Sequence, residues 1–170
     1  MINYVFNKKR TIRVTLALLI ILWCALIFFM SAETATVSSE RSGGITEKAI
    51  KLLLSIFGLG ESEELRGFVE HIVRKCAHVF LYFVLSILSS FFVYTYDVKM
   101  IKRLIISFAF CVFYASSDEI HQLFVEGRSG SIKDVMIDSI GIVLGALLVY
   151  IVYKIQNKIV TKTPSRFVSA

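Results

Sequence analysis

The chain has few prolines, few cysteines and few charged residues. Among its 170 residues there is one proline, and only 19% of the residues are charged. This composition excludes a disordered chain and a soluble basic domain. The three cysteines, Cys24, Cys76 and Cys111, form no CxxC pair, so neither a zinc ribbon nor a redox pair is indicated.

Apolar residues dominate instead, at 56% of the chain with a mean hydropathy of +0.71. A soluble domain is roughly 45–50% apolar. A spanning helix needs about 17–25 mostly apolar residues, and the sequence predicts four, at about 13–31, 76–96, 104–124 and 135–153. The third reaches this length only if its polar end belongs to the same helix. The prediction is one all-α membrane domain over residues 1–170.

The basic residues predict the orientation of these spans. Four spans put both termini on one side, and the segments assigned to that side hold eleven of the nineteen basic residues against one acid, Asp97. The positive-inside rule therefore predicts cytoplasmic termini. Because topology explains the net charge of +6, no nucleic-acid partner is expected.

The segment 32–75 is then expected on the outer side of the membrane. Within Ile45–Phe57 the polar residues share a narrow stripe at helical spacing, which predicts a short amphipathic helix. This helix either lies on the outer leaflet or packs over the mouth of the bundle. Gly58 and Gly60 are expected to end it, and a further helix starting near Ser62 is expected to run into the second span.

Ionisable residues gather at the outward end of the spans. Arg74, Lys75, His78 and Tyr82 form one stripe on the second helix. Anchoring at the membrane interface explains Arg74 and Lys75, but it does not explain His78, which lies deeper. A cationic stripe here suits a phosphate or carboxylate ligand.

The third helix ends in a second polar group. Asp118, His121 and Gln122 share one face, while Glu119 points about a quarter turn away. Asp118 and His121 could ligate one metal or act as a base and its orienting partner. The alternative is an ion-paired network that only neutralises nearby cations.

The fourth helix contributes two more acids. Ser131 and Asp134 resemble a capping box, which would give Asp134 a structural role. Asp138 lies one turn deeper, on the face of Gly141 and Gly145, whose spacing allows close helix approach. We therefore expect Asp138 to point into the bundle.

The candidates fall into two sets, and an intramembrane ionisable group is by default a functional candidate. The catalytic candidates are His78, Asp118, Glu119, His121 and Asp138. The substrate-binding candidates are Arg74, Lys75, Tyr82, Gln122, Arg128 and Asp134. Arg128 lies on a glycine-flanked loop, where a solvated loop cation is the alternative interpretation.

Two strings carry a resemblance to a known family. RKCAHVFLY at 74–82 and DEIHQLFVEGR at 118–128, with Asp134 and the glycine-containing last span, resemble the VanZ-like family of bacterial membrane proteins over roughly residues 12–153. The second string is the specific one. The resemblance implies a small multi-pass protein of the bacterial cytoplasmic membrane. It also implies a link to low-level resistance to teicoplanin, a lipidated glycopeptide antibiotic.

Two hypotheses of different classes follow. In the first, the outer cluster is an enzyme site for an anionic lipid-linked or other cell-envelope substrate, with a divalent metal as a candidate cofactor. In the second, it is a non-catalytic binding site for lipid headgroups or lipoglycopeptides. A transporter ranks third, because polar groups are expected to stop at the outer third of the spans. The sequence leaves the oligomeric state open.

Overall fold

A computed structural model describes residues 2–57 and 62–162, with side chains described over 9–56 and 62–159. The regular elements in those residues are α1 (Ile2–Ser31), α2 (Ala35–Phe57), α3 (Glu63–Tyr94), α4 (Met100–Gln122) and α5 (Ile132–Lys162). Four of them contain segments long and apolar enough to span a membrane, namely Lys9–Ser31, Glu63–Tyr94, Met100–Gln122 and Ile132–Ile159. The predicted all-α fold with four such helices is confirmed. The polar residues up to Gln122 do belong to α4.

One end of the bundle collects the polar contacts, and we call it the polar end. The Ser31 hydroxyl at the end of α1 donates to Asp118 Oδ2 near the end of α4, over 2.8 Å. Lys75 of α3 pairs there with Asp134 at the start of α5, over 2.6 Å. The opposite end carries the link between Arg13 and the Thr95 carbonyl, at 2.9 Å.

The closest helix pair is α3 and α5, and two glycines make it close. A Cβ on Gly145 would lie 2.6 Å from the Phe83 carbonyl oxygen, and one on Gly141 would collide with the Val79 carbonyl. The Ser86 hydroxyl adds a 2.8 Å hydrogen bond to the Ile142 carbonyl across the same contact. Because lipid supplies no hydrophobic force between helices, such small-residue packing and polar contacts hold them together.

α1 is attached mainly through hydrogen bonds to backbone carbonyls. Trp23 donates to the Leu81 carbonyl of α3 at 2.9 Å, and the Tyr114 hydroxyl of α4 donates to the Cys24 carbonyl at 2.6 Å. Its other face is apolar and open, with Leu22 66% and Phe29 68% exposed. An exposed apolar face of this kind is suited to contact with lipid.

α2 begins at Ala35, earlier than the predicted start at Ile45. It runs antiparallel to the first half of α3, since Ser39 bonds Arg74 at 3.2 Å and Glu47 bonds Arg66 at 3.3 Å. A glycine inside a helix costs roughly 1 kcal/mol relative to alanine. The contacts of α2 with α3 offset this cost for Gly43 and Gly44, which lie within α2. The expected stop at Gly58 and Gly60 lies outside the described residues.

A ladder of buried serines joins α3 to α4 below the polar end. Ser107 lies 3.0 Å from the hydroxyls of both Ser89 and Ser90, and Ser89 also donates to the Leu85 carbonyl at 2.6 Å. Buried hydroxyl groups therefore continue beyond the clustered ionisable residues. These hydroxyls are already hydrogen-bonded to one another and to the backbone, so they act as contacts between helices.

Candidate functional site

Three helices bring four ionisable side chains together at the polar end, and we call this group the polar cluster. It consists of His78 on α3, Asp118 and Glu119 on α4, and Asp138 on α5, all buried with 1–8% of their surface exposed. His78, Asp118 and Glu119 each present one nitrogen or oxygen atom, and these atoms lie within 4.8 Å of one another. Asp138 Oδ1 is 3.8 Å from His78 Nδ1.

The two α4 carboxylates are held by neighbouring hydrogen-bond donors. Asp118 Oδ2 accepts from the Ser31 hydroxyl at 2.8 Å and from the Gln122 side-chain amide at 3.2 Å. The same amide reaches Glu119 Oε1 at 3.3 Å. Gln122 therefore orients both carboxylates, and the structure brings Glu119 beside Asp118 although the helical spacing had set it apart.

Glu119 also caps α5. Its Oε2 accepts from the backbone N–H of Ser131 at 3.0 Å, while the Ser131 hydroxyl accepts from the Lys133 N–H at 3.1 Å. In a capping box the acid at the third helical position would reach that Ser131 N–H. The capping role expected for Asp134 is therefore wrong, because Glu119 takes it across helices and Asp134 pairs with Lys75.

The cationic residues mostly serve structural contacts. Arg128 donates to the carbonyls of Glu33 at 2.8 Å and Met30 at 3.1 Å, which satisfies carbonyls at and beyond the end of α1. Burial, together with the nearby positive charge of Arg74, lowers the pKa of the Arg128 guanidinium from its ordinary value. Arginine still remains charged in proteins. Among the described residues, Arg74 has no carboxylate partner and bonds the Ser39 hydroxyl.

Two buried side-chain oxygens near the polar cluster make no well-formed hydrogen bond to a described residue. They are Asp138 Oδ2 and the Tyr82 hydroxyl, on residues that are 1% and 0% exposed. Tyr82 follows His78 by one helical turn, and its hydroxyl is close enough to Asp118 and Asp138 to interact with their charges. Buried polar atoms are normally paired, so both atoms call for an explanation.

One residue of the polar cluster, Glu119, also lines an apolar groove. This groove lies between α4 and α5 and has a volume of about 290 Å³. Ile120, Leu123, Ile132 and Val135 form most of its lining. A larger hollow of about 880 Å³ lies at the opposite end, near Arg103 and away from these carboxylates.

Comparison with known proteins places the chain in a family. The family model described as VanZ/LLP1 matches residues 16–153. The chain belongs to the VanZ/LLP1 family. No curated protein and no solved structure matches the chain. The matched range contains all four residues of the polar cluster, as well as the side chains that hold them.

Of the five predicted catalytic residues of this VanZ/LLP1 chain, one lies outside the polar cluster, namely His121. The His121 ring stacks on Phe28 of α1, with ring centres 4.5 Å apart, and its Nε2 has no hydrogen-bond partner. The group of close ligand atoms contains Asp118 without His121. The structure therefore places His121 outside this group of three ligand atoms, and a metal-binding pair of Asp118 and His121 stays a prediction.

Ser31 is a residue of the site that sequence reasoning missed. It ends the long apolar run of α1, is 1% exposed, and holds Asp118. Its position as the first polar residue after that run was the available signal. The polar cluster and the side chains that hold it therefore come from all four long apolar helices.

Proposed function

We propose that this VanZ/LLP1 protein acts on an anionic lipid of the bacterial cell envelope, at the outer face of the cytoplasmic membrane. The observation that carries the proposal is the polar cluster, in which a histidine and three carboxylates are buried together. Burying such groups is costly, and in a membrane segment they mark functional sites. A helix bundle that needed only stability would place apolar residues at these positions.

The chemistry available to this site is proton transfer. His78 lies beside Asp138, and a histidine next to a carboxylate is the common arrangement for a general base or acid. Asp118 and Glu119 are fixed by Ser31, Gln122 and the Ser131 N–H. Groups whose positions are held in this way can meet a reacting headgroup without reorganising.

The groove between α4 and α5 supports a lipid substrate. Its walls are mainly Ile120, Leu123, Ile132 and Val135, and Glu119 lies within it. An acyl chain or a polyprenyl chain suits apolar walls, so a lipid could enter from the bilayer with its headgroup at the carboxylates. Arg74, which has no carboxylate partner among the described residues, would attract a phosphate on that headgroup.

A role in teicoplanin resistance would follow from such chemistry. Teicoplanin is a lipidated glycopeptide, so a change in the lipids of the outer leaflet would alter its access to the cell surface. The proposal therefore connects the resistance implied by the family resemblance to lipid processing at the polar end.

The test is a susceptibility and lipid assay in a teicoplanin-sensitive bacterial host. Expression of the wild-type chain should raise the minimum inhibitory concentration of teicoplanin and change the lipid mass spectrum. H78Q and D118N should abolish both effects, because loss of general acid–base catalysis lowers rates by about 10²–10⁴-fold. The matched control is H71Q, an exposed histidine on the same helix, which should behave as wild type at equal membrane abundance.

The second candidate function is non-catalytic binding of lipid headgroups or of the lipoglycopeptide itself. Arg74 and Arg128 favour it, since two cations lie close enough to repel each other. Under this alternative R74Q should abolish resistance while H78Q and D118N retain it. If neither the wild type nor any variant changes susceptibility or lipid composition, both functions are contradicted.

A further inference from the structure

The polar cluster contains more carboxylates than the ion pairs around it could neutralise. Among the described residues, Asp118, Glu119 and Asp138 have no ion pair with lysine or arginine, because the nearby Lys75 pairs with Asp134. The ion-pair partner within the cluster is His78, which lies 3.8 Å from Asp138 and carries charge only when protonated. Lys75 and Arg128 lie beyond ion-pair distance of these carboxylates but still act on them through their charge. Three buried carboxylates in a low-dielectric bundle require further positive charge.

The positions of the donor atoms suit a metal ion. Ligand atoms bound about 2.0–2.2 Å from one ion lie no more than about 4.4 Å from each other. The atoms offered by His78, Asp118 and Glu119 lie within 4.8 Å of one another. Side-chain shifts of a few tenths of an ångström would therefore bring these atoms to bonding distance.

Two independent observations point to a ligand at the same place. Asp138 is 1% exposed, and its Oδ2 has no hydrogen-bond partner although the other oxygen faces His78. The Tyr82 hydroxyl is fully buried near Asp118 and Asp138; it makes no well-formed hydrogen bond to a described residue and only a weak contact with Asp118. A bound cation would satisfy the Asp138 oxygen directly, and a water on that cation could accept from or donate to Tyr82.

The surrounding hydrogen bonds are those that a metal site needs. Ser31 and Gln122 fix Asp118, and the Ser131 N–H fixes Glu119. Such contacts orient ligand side chains and raise metal affinity. The donor set combines one imidazole nitrogen with carboxylate oxygens, which suits manganese or zinc. Calcium is bound by oxygen ligands, so the imidazole nitrogen of His78 favours manganese or zinc over calcium.

We propose that the polar cluster binds one divalent metal ion of the manganese or zinc type, through His78, Asp118, Glu119 and Asp138. This inference rests on the proposed function, because it assigns a cofactor to the same site. With the ion bound, these side chains would act as its ligands, and a water on the ion would supply the acid–base group. The ion balances the buried carboxylates. It also gives an anionic headgroup that enters by the groove a positive centre to approach.

The experiment titrates the metal alone into the full chain, purified in detergent without a histidine tag. Mn²⁺ binding is followed by electron paramagnetic resonance, and Zn²⁺ content by mass spectrometry after removal of free metal. The wild type should hold close to one ion per chain. H78Q and D138N should raise the Kd for the metal by at least about 100-fold. Loss of a residue that only orients a ligand lowers metal affinity by about 10–100-fold, and loss of a ligand itself should cost no less.

Two matched variants serve as controls. H121Q changes a histidine of α4 that lies outside the polar cluster, and D97N changes an exposed aspartate at the opposite end. Both should keep the wild-type Kd. The metal should also raise the Tm of the wild type, because ligand that binds only the folded state stabilises it. This Tm shift decides the question if H78Q or D138N fails to fold.

The outcomes separate the two proposals. Absence of stoichiometric metal in the wild type, or equal affinity in H78Q and H121Q, overturns the metal site. If the metal binds as expected but H78Q leaves teicoplanin susceptibility and lipids unchanged, the metal site stands and the proposed function fails. If H78Q abolishes the phenotype while the wild type binds no metal, the proposed function stands alone.

Discussion

At the polar end, some side chains have all their polar atoms paired, and others keep a buried polar atom without a well-formed hydrogen bond. Lys75 and Asp134 pair with each other, and Arg128 caps α1. Asp138 and Tyr82, in contrast, keep unpaired buried oxygens. Because an unpaired buried polar atom costs about 1–3 kcal/mol, such residues weaken the fold while offering contacts to a ligand.

This contrast gives a prediction for Tyr82. Tyr82→Phe removes a buried hydroxyl that makes no well-formed hydrogen bond and contacts Asp118 only weakly, so the free energy of unfolding should stay equal or rise by about 1 kcal/mol. Resistance or lipid turnover should fall in the same variant. The measurements are denaturant unfolding in detergent and the susceptibility assay.

Tyr114→Phe is the matched control for that variant. It removes a hydroxyl that donates to the Cys24 carbonyl at 2.6 Å, so it should lower stability by about 0.5–1.5 kcal/mol. Equal destabilisation of both variants would contradict the assignment of the Tyr82 hydroxyl as a group kept for a ligand.

For single residues, the sequence predicts which side chains are buried better than it predicts which side chains they contact. His78 and Asp138 were singled out because they lie deeper than anchoring or capping requires, and both are buried. The positions of Glu119 and His121 depend on how α4 is rotated against α1 and α5. A single sequence does not contain that rotation, so Glu119 was set apart and His121 was grouped with Asp118.

At the scale of elements, the four long helices were predictable because the bilayer requires them. A chain crossing lipid must satisfy its backbone hydrogen bonds within each segment, so apolar length alone predicts the helices. The extent of α2 was less predictable. Its two central glycines suggested a break, and the contacts of Ser39 and Glu47 with α3 keep that segment helical.

The glycines of α5 and α2 predict opposite effects of the same substitution. Gly145→Ala should destabilise the bundle by about 2 kcal/mol or more, because the new Cβ would overpack the contact with the Phe83 carbonyl. Thermal unfolding in detergent measures the change.

Gly43→Ala is the control for that substitution. Nothing lies within 4 Å of a Cβ built on Gly43, so alanine should stabilise α2 by roughly 0.5–1 kcal/mol. A Gly145→Ala variant as stable as wild type would contradict the close contact between α3 and α5.

The whole molecule is asymmetric in charge, and this asymmetry predicts its orientation. The segments on the side of the termini hold eleven of the nineteen basic residues. A fluorescent protein fused to the C-terminus should therefore fluoresce in the cytoplasm, and alkaline phosphatase fused after Ser129 should be active outside. The reverse pattern would place the polar cluster at the inner face and contradict the proposed access to outer-leaflet lipids.

The partners of three acids at the polar end are synthesised before the acids themselves. Ser31 and Asp118 are 87 positions apart, so at about 5–20 residues per second Ser31 is made roughly 4–17 s earlier. Lys75 and His78 likewise precede the acids they contact, Asp134 and Asp138. Each of these donors is thus already in place at the membrane when its carboxylate is inserted. During biogenesis, these three acids can find a partner as soon as they enter the bilayer.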